Sequence, residues 1–276
     1  MIEDQLILAS INVLLAWSVY VVVMSGGLSF ASGAFMAVGC YASAVLTTRY
    51  GWPIHAAWFT AAILSGIAGA LISLPALRVQ GIYLVLVTLG VSASTVVLLE
   101  NIEFLGGSMG IGGMAGTALP DAIAAVAVVG LSLFAISRSS WQRTLDAVRE
   151  DDRVAGSFGI NVTCLKVVAF AFSAAIAGYA GALYGHYVSY VRPDTFNIEL
   201  SLFIVLYVVL GGTNNLYGPA LGAVVMTLLP EYIAFIKEWR SLVFPAILVV
   251  LIAVRPEGLL TWRQRTIRLA SSYANA

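Results

Sequence analysis

Nine runs of apolar residues, each bearing at most one Asp, Glu, Lys or Arg, fill most of the chain: 5–24, 33–48, 54–75, 81–100, 119–137, 166–190, 199–212, 217–236 and 241–254. A helix crosses the hydrocarbon core of a bilayer with about 20 apolar residues. Most of the runs have that length; 33–48, 199–212 and 241–254 are shorter and read as half-helices, tilted helices or parts of broken ones. Inside lipid every backbone N–H and C=O needs an internal partner, which leaves helices or a closed barrel. Runs this continuous lack the period-two alternation of barrel strands. The expected fold is all-α: a polytopic transmembrane helix bundle of about eight to ten spans, some short or broken, forming one domain over 1–276.

Composition agrees with a lipid environment. The chain is 60% hydrophobic and 10% charged, against about 45–50% and 25% for a soluble domain. That excludes a soluble enzyme, and equally a disordered chain, which needs low hydrophobicity and high net charge. The net charge is zero, so a nucleic-acid partner has no electrostatic footprint. Cys40 and Cys164 stand far apart with no CxxC or CxH spacing, and no metal site is expected. Glu3 and Asp4 occupy the place of the basic residues of a secretory signal, so 5–24 reads as a retained first helix.

Basic residues orient the spans. Arg138, Arg143, Arg149, Arg153 and Lys166 cluster in one segment, and Arg255, Arg263, Arg265 and Arg268 in the tail. Placing both in the cytoplasm, as a coupling segment 138–165 and a tail 255–276, also puts Arg78 inside and Arg49, Arg192, Lys237, Arg240 and the N-terminus outside. Between 101 and 118 lies a glycine-rich stretch without Lys or Arg, on the outer side. It is either a surface loop or an outer gate.

Two glycine patterns stand out. Gly26-Gly27 precedes Gly33 as Gly211-Gly212 precedes Gly218, each time at the entry to a short apolar run. Paired glycine-interrupted segments mark broken helices at a transport path, although three glycines in so glycine-rich a chain can also match by chance. Gly181 and Gly185 form GxxxG, and Ala174 and Gly178 continue the four-residue spacing. Such a face lets another helix backbone approach closely, a packing signal rather than a ligand site.

Familiar chemistry is missing. Lys166 and Lys237 follow Leu165 and Ile236, so no GxxxxGK[ST] loop is present to bind ATP. Glu100, Glu103, Asp121, Glu199 and Glu231 lie near span ends or beside proline, unlike the buried carboxylates of a proton-driven carrier. His55 and His186 are isolated, and His186 reads as a hydrogen-bonded helix-interface residue. The most charged stretch is Arg143–Asn161, where Leu145, Val148 and Val154 recur at roughly helical spacing until Gly156 and Gly159 break the helix. It is either a solvated connector or a docking helix that presents an apolar ridge and paired charges to another protein.

Five segments carry a resemblance: LRVQGIYLVLVTLG (Leu77–Gly90), RTLDAVREDDRVAGSFGIN (Arg143–Asn161), AFSAAIAGYAGALYGHYVSYVRPDTF (Ala171–Phe196), VVLGGTNNLYGPALGA (Val208–Ala223) and VRPEGLL (Val254–Leu260). Their order and wording resemble the branched-chain amino-acid ABC transporter permease family, in its LivM-like branch. The resemblance implies a multi-pass permease of the bacterial inner membrane, working with a second permease subunit, two cytoplasmic ABC ATPase subunits and an extracytoplasmic solute-binding protein. It implies alternating access with no covalent chemistry and no cofactor in this chain, ATP and Mg being held by the ATPase partners. Relatives serving urea, short amides or other small solutes share these motifs, and the Thr-Asn-Asn of GGTNNLYGP departs from the family's usual Gly/Ser-rich stretch.

By the same resemblance Arg143–Asn161 contacts the ATPase, with Arg143, Arg149, Glu150 and Asp152 as charged contacts and Ala147 and Gly156 allowing close approach. A path for leucine-sized solutes is expected to be mostly apolar with a few polar groups. Thr88, Ser92 and Thr95, on one face of the 81–100 helix, and Asn214 and Asn215 are the candidates. The alternative is that these hydroxyls bond their own or a neighbouring helix.

Overall fold

The computed structural model describes residues 2–79 and 81–232. The ninth apolar run, Lys237, Arg240, the side chain of Glu231, the end of the eighth run and the tail with VRPEGLL lie outside the described residues. The chain forms ten helices in order: α1 Ile2–Met24, α2 Ser32–Thr48, α3 Ile54–Ala76, α4 Ile82–Asn101, α5 Leu119–Arg138, α6 Ser140–Glu150, α7 Asp152–Ser157, α8 Val162–Val188, α9 Ile198–Gly211 and α10 Tyr217–Tyr232. Eight of them coincide, within a few residues, with the first eight apolar runs.

Among the described residues, six stretches are long and apolar enough to cross a membrane, and α2 and the apolar part of α10 are shorter. At 1.5 Å per residue, α2 and α9 extend only about 25 Å and 21 Å, short of the roughly 30 Å hydrocarbon core. α9 reaches membrane length only together with the 3-10 turn Pro193–Phe196 before it, and both helices abut non-helical backbone at their inner ends, Ser25–Ala31 before α2 and Gly212–Leu216 after α9.

The ends of the helices are set by local chemistry. Asn161 Oδ1 accepts from Cys164 N–H (3.0 Å) to start α8, and Asn197 Oδ1 accepts from Leu200 N–H (2.9 Å) to start α9. Pro120 sits in the first turn of α5, where its missing N–H is harmless, and Asp121 Oδ2 accepts from Ala118 N–H (3.2 Å).

The core is built on α8, which packs against α1, α2 and α3. Its contacts are backbone-close. A Cβ on Gly39 of α2 would fall within the van der Waals envelope of the Gly178 backbone, and one on Gly181 within that of Met36 O. On the same helix Gly178 backs onto Ser65 of α3, and Gly185 onto the Cys40 sulfur. Ser65 Oγ lies 2.8 Å from Ala174 O and 3.0 Å from Phe35 O, pinning α3 to α8 and α2 at this crossing. In contrast, α4 and α5 bury few side chains within the described residues.

The two ends of the bundle are distinct. Leu77 and Val79, beside Arg78, line a small cavity with Asp152 and Lys166, and Gly26 backs onto Arg149. Arg138 leads directly into α6. At the opposite end Arg49 lies over the Phe104 ring (4.1 Å), and Arg192 follows β2 (Tyr190–Val191). That strand pairs antiparallel with β1 (Ile111–Gly112). Six described basic residues therefore mark the first end against two at the other, and the positive-inside rule makes the first end cytoplasmic.

The glycine-rich stretch 101–118 is ordered, with two 3-10 turns and β1. Thr117 Oγ1–H donates to Leu183 O (3.0 Å), Gly113 N–H to Ser189 O (3.1 Å), and Tyr190 O–H to Met109 O. Met114, within this stretch, is buried. The stretch forms a cap on the outer ends of α2 and α8. His186 is nearby and buried: Nδ1 lies 2.8 Å from Ala182 O and 3.3 Å from the Trp58 indole nitrogen, and Nε2 3.2 Å from Thr47 Oγ1. Both ring nitrogens are engaged at the junction of α2, α3 and α8.

Candidate translocation and coupling site

Two interruptions of the membrane helices face the cytoplasmic end. The first runs from Ser25 to Ala31, between α1 and α2; the second from Gly212 to Leu216, between α9 and α10. The sequence echo falls on both: each glycine pair lies at a helix end, and Gly33 and Gly218 are each the second residue of the next helix. Gly26 (φ 80°) and Gly212 (φ 93°) take the left-handed backbone that an L side chain resists.

Non-helical backbone at membrane depth survives only if its polar groups are satisfied. For the first break that task falls to α4 and α9. Phe30 N–H donates to Thr88 Oγ1 (3.0 Å), and Ser92 O–H donates to Phe30 O (2.7 Å). Gly33 N–H donates to Ser201 Oγ (3.2 Å), which lies 3.2 Å from Ser92 Oγ. Thr88, Ser92 and Ser201 are all buried. At the second break, the Trp17 indole N–H of α1 donates to Leu216 O (3.0 Å).

The sequence-selected path residues thus divide. Thr88 and Ser92 hold the first broken segment, whereas Thr95 O–H donates to Val91 O (2.8 Å) of its own helix. Asn214 and Asn215 are half-buried in the second break. Ser201 is absent from the sequence-derived candidates, although a hydroxyl isolated in the apolar run 199–212 is the signal that marks it.

Beneath the breaks lies α6, capped by Ser139 Oγ, which accepts from Trp141 N–H (3.2 Å). Its apolar stripe faces the bundle: Leu145 and Val148 are 3% and 2% exposed. The expected outward ridge of Leu145, Val148 and Val154 is therefore corrected. The first two side chains are consumed by packing on the membrane helices, and the outward face carries Arg143, Ala147, Glu150, Val154 and Phe158. Phe158 is 81% exposed.

The helix break is corrected too. It falls at Asp151, in extended backbone, and not at Gly156, which lies within α7; Gly159 (φ 84°) comes just after the helix end. Asp151 Oδ1 accepts from Arg153 N–H (2.8 Å) and Val154 N–H (3.1 Å). These hydrogen bonds, that of Val154 foremost, hold its carboxyl below the ordinary carboxylate range. A depressed pKa contributes stability above the unfolded value and loses it as pH falls through the folded one. The α6–α7 corner is accordingly expected to keep its amide protection at about pH 5 and to lose it at Arg153 and Val154 only below the ordinary carboxylate range. Hydrogen exchange across a pH series checks this.

The remaining predicted coupling residues fall into two groups. Arg149, itself exposed, and the half-buried Asp152 each reach back to the bundle. Arg149 Nη2 donates to Thr213 Oγ1 (3.2 Å) in the second break. Asp152 pairs with Lys166 at the mouth of a cavity of about 170 Å³ lined by Ser25, Gly27, Leu84 and Phe170. Arg143, Ala147, Glu150 and Gly156 are exposed, and a Cβ on Gly156 would meet nothing within 4 Å.

Long apolar helices over a charged helix at the basic end define a multi-pass membrane protein. Comparison with known proteins specifies it further. Residues 1–253 match the family described as branched-chain amino acid transport system / permease component. The chain is 31% identical to the high-affinity branched-chain amino acid transport system permease protein LivM of Salmonella typhimurium, over 98% of this chain and 72% of that protein. It is 30% identical to the Escherichia coli LivM over the same shares, and 29% identical to the LivH permease of Salmonella typhimurium over 49% of this chain and 44% of LivH. No solved structure matches. The chain belongs to the branched-chain amino-acid transport permease family.

Proposed function

We propose that this chain is the LivM-type membrane subunit of an ATP-driven importer for branched-chain and similar hydrophobic amino acids in the bacterial inner membrane. The observation that supports the coupling is the position of α6: its apolar side packs against α1 and α5, Arg149 at its end touches Gly26 and Thr213, and its other side is exposed. Likeness to both LivM and LivH supports a pore formed with a second, related permease. ATP and Mg would act at two cytoplasmic ATPase subunits, and an extracytoplasmic binding protein would deliver solute to the outer cap.

In this reading α6, α7 and the residue that follows α7 present Arg143, Ala147, Glu150, Val154 and Phe158 to the ATPase. Ala147 allows close approach, Phe158 is an aromatic anchor of the kind that dominates interface energies, and the two charges orient the encounter. The path runs past the two breaks. Their held but non-helical backbone can change shape at lower cost than continuous helix, because it owes few hydrogen bonds to its own neighbours.

Co-purification of the ATPase tests the coupling face. Phe158→Ala is expected to weaken ATPase association by about 30-fold, the cost of a hot-spot aromatic. Glu150→Arg weakens it less and in a salt-dependent way. Undiminished association in both variants contradicts this assignment.

A further inference from the structure

We propose that Arg149 is a positioning residue that clasps both broken helices to α6, so that the two breaks move together as one inner gate. The inference deepens the reading of α6 as the ATPase-facing helix and rests on it. It replaces the expectation that Arg149 is itself a contact with the ATPase.

Arg149 meets each break by a different part of itself. Its backbone supports the first: a Cβ built on Gly26 would lie 3.2 Å from Arg149 Cα and 3.8 Å from Val148 O. Only glycine, with neither a Cβ nor a penalty at φ 80°, lets the chain turn so close to α6. Its side chain grips the second: the guanidinium donates to the Thr213 hydroxyl (3.2 Å), one residue after Gly212. The nearby Asp146 carboxylate is taken by Gln142 Nε2–H (2.8 Å). Val148, the residue before Arg149, is buried, so this turn of α6 is anchored to the bundle.

The breaks are also joined above the clasp. Ser201, which holds Gly33, lies on α9, the helix that ends at the second break. A displacement of α6 therefore acts on Gly26 by backbone contact and on Thr213 by hydrogen bond, while α9 keeps the two segments in register. Without the guanidinium, α6 still carries the first break but releases the second.

The test uses the complete importer in proteoliposomes, with its ATPases and binding protein, and reads leucine uptake and ATP hydrolysis together. Arg149→Ala is expected to leave ATPase co-purification intact and to lower leucine moved per ATP by about threefold, the weight of one solvent-exposed charged contact. Thr213→Val removes only the acceptor and gives the same phenotype. The double variant is no worse than Arg149→Ala alone, because both remove one interaction. Arg149→Lys, which keeps a donor on a long arm, restores most of the ratio.

An unchanged ratio in Arg149→Ala overturns the clasp, as do multiplying effects in the double variant. Loss of ATPase binding in Arg149→Ala also overturns it, by making Arg149 a partner contact, and leaves the α6 docking reading standing. Uncoupling by Arg149→Ala together with undisturbed association in Phe158→Ala and Glu150→Arg sustains the clasp and removes the assigned docking face instead.

Discussion

Replacing Gly39 by alanine is expected to destabilise the protein by about 3 kcal/mol or more, at or beyond the upper end for overpacking a well-packed core. The added methyl meets the Gly178 backbone, which no side-chain rotamer can move aside. Relief requires α2 and α8 to separate, and that breaks the neighbouring contacts of Gly181 with Met36 and of Gly185 with Cys40. Leucine at position 39 is expected to prevent recovery of folded protein altogether. Gly90→Ala is the matched control: Gly90 is exposed on α4, and its Cβ would meet nothing within 4 Å. There alanine is neutral or stabilising by up to about 1 kcal/mol, the helix-propensity gain over glycine. Unfolding curves of the purified variants in detergent distinguish the two. Equal stability of Gly39→Ala and wild type contradicts the close α2–α8 crossing.

The second large effect is expected at Thr88. Valine matches threonine in shape but leaves the part-buried Phe30 N–H without its acceptor. An orphaned amide costs about 1–3 kcal/mol in a protein interior and more in hydrocarbon. Thr88→Val is therefore expected to lower uptake by about tenfold or more, in protein that still reaches the membrane, because α4 itself is unaffected. Ser201→Ala acts similarly through Gly33 N–H. Thr95→Val, two turns along the same helix, removes a hydroxyl bonded only within α4, and uptake stays near wild type. Equal loss in Thr88→Val and Thr95→Val contradicts the role given to the first break.

Hydropathy alone places the membrane helices because lipid allows little else: an apolar run that must satisfy its own backbone becomes a helix. The breaks are legible only in part. Gly26-Gly27 and Gly211-Gly212 mark where helix ends, but nothing local says that Thr88 and Ser201 hold the backbone beyond the first glycine pair, since those partners are distant in sequence. The same limit hides the bond between Arg149 and Thr213. Amphipathicity identifies α6 correctly as two-faced, yet a stripe of Leu145 and Val148 packs equally well against a membrane bundle or a soluble partner. Only the fold shows that the bundle uses it, which leaves Val154 and Phe158 outward. Asp151 shows a missed local signal: Asp is a favoured N-cap, and here it divides α6 from α7. The pairing of β1 with β2 joins two two-residue strands from distant segments and carries no periodic trace at all.

Reconstitution with defined subunits decides whether ATP at partner subunits drives uptake through this chain. Leucine uptake is to be measured in proteoliposomes containing this chain with the proposed partner permease, ATPases and binding protein, and internal or external ATP as orientation requires. Uptake against a gradient is expected to need ATP, the ATPases and the binding protein, with none by this chain alone under a proton gradient. Concentrative uptake by the isolated chain, driven by that gradient, would contradict this reading.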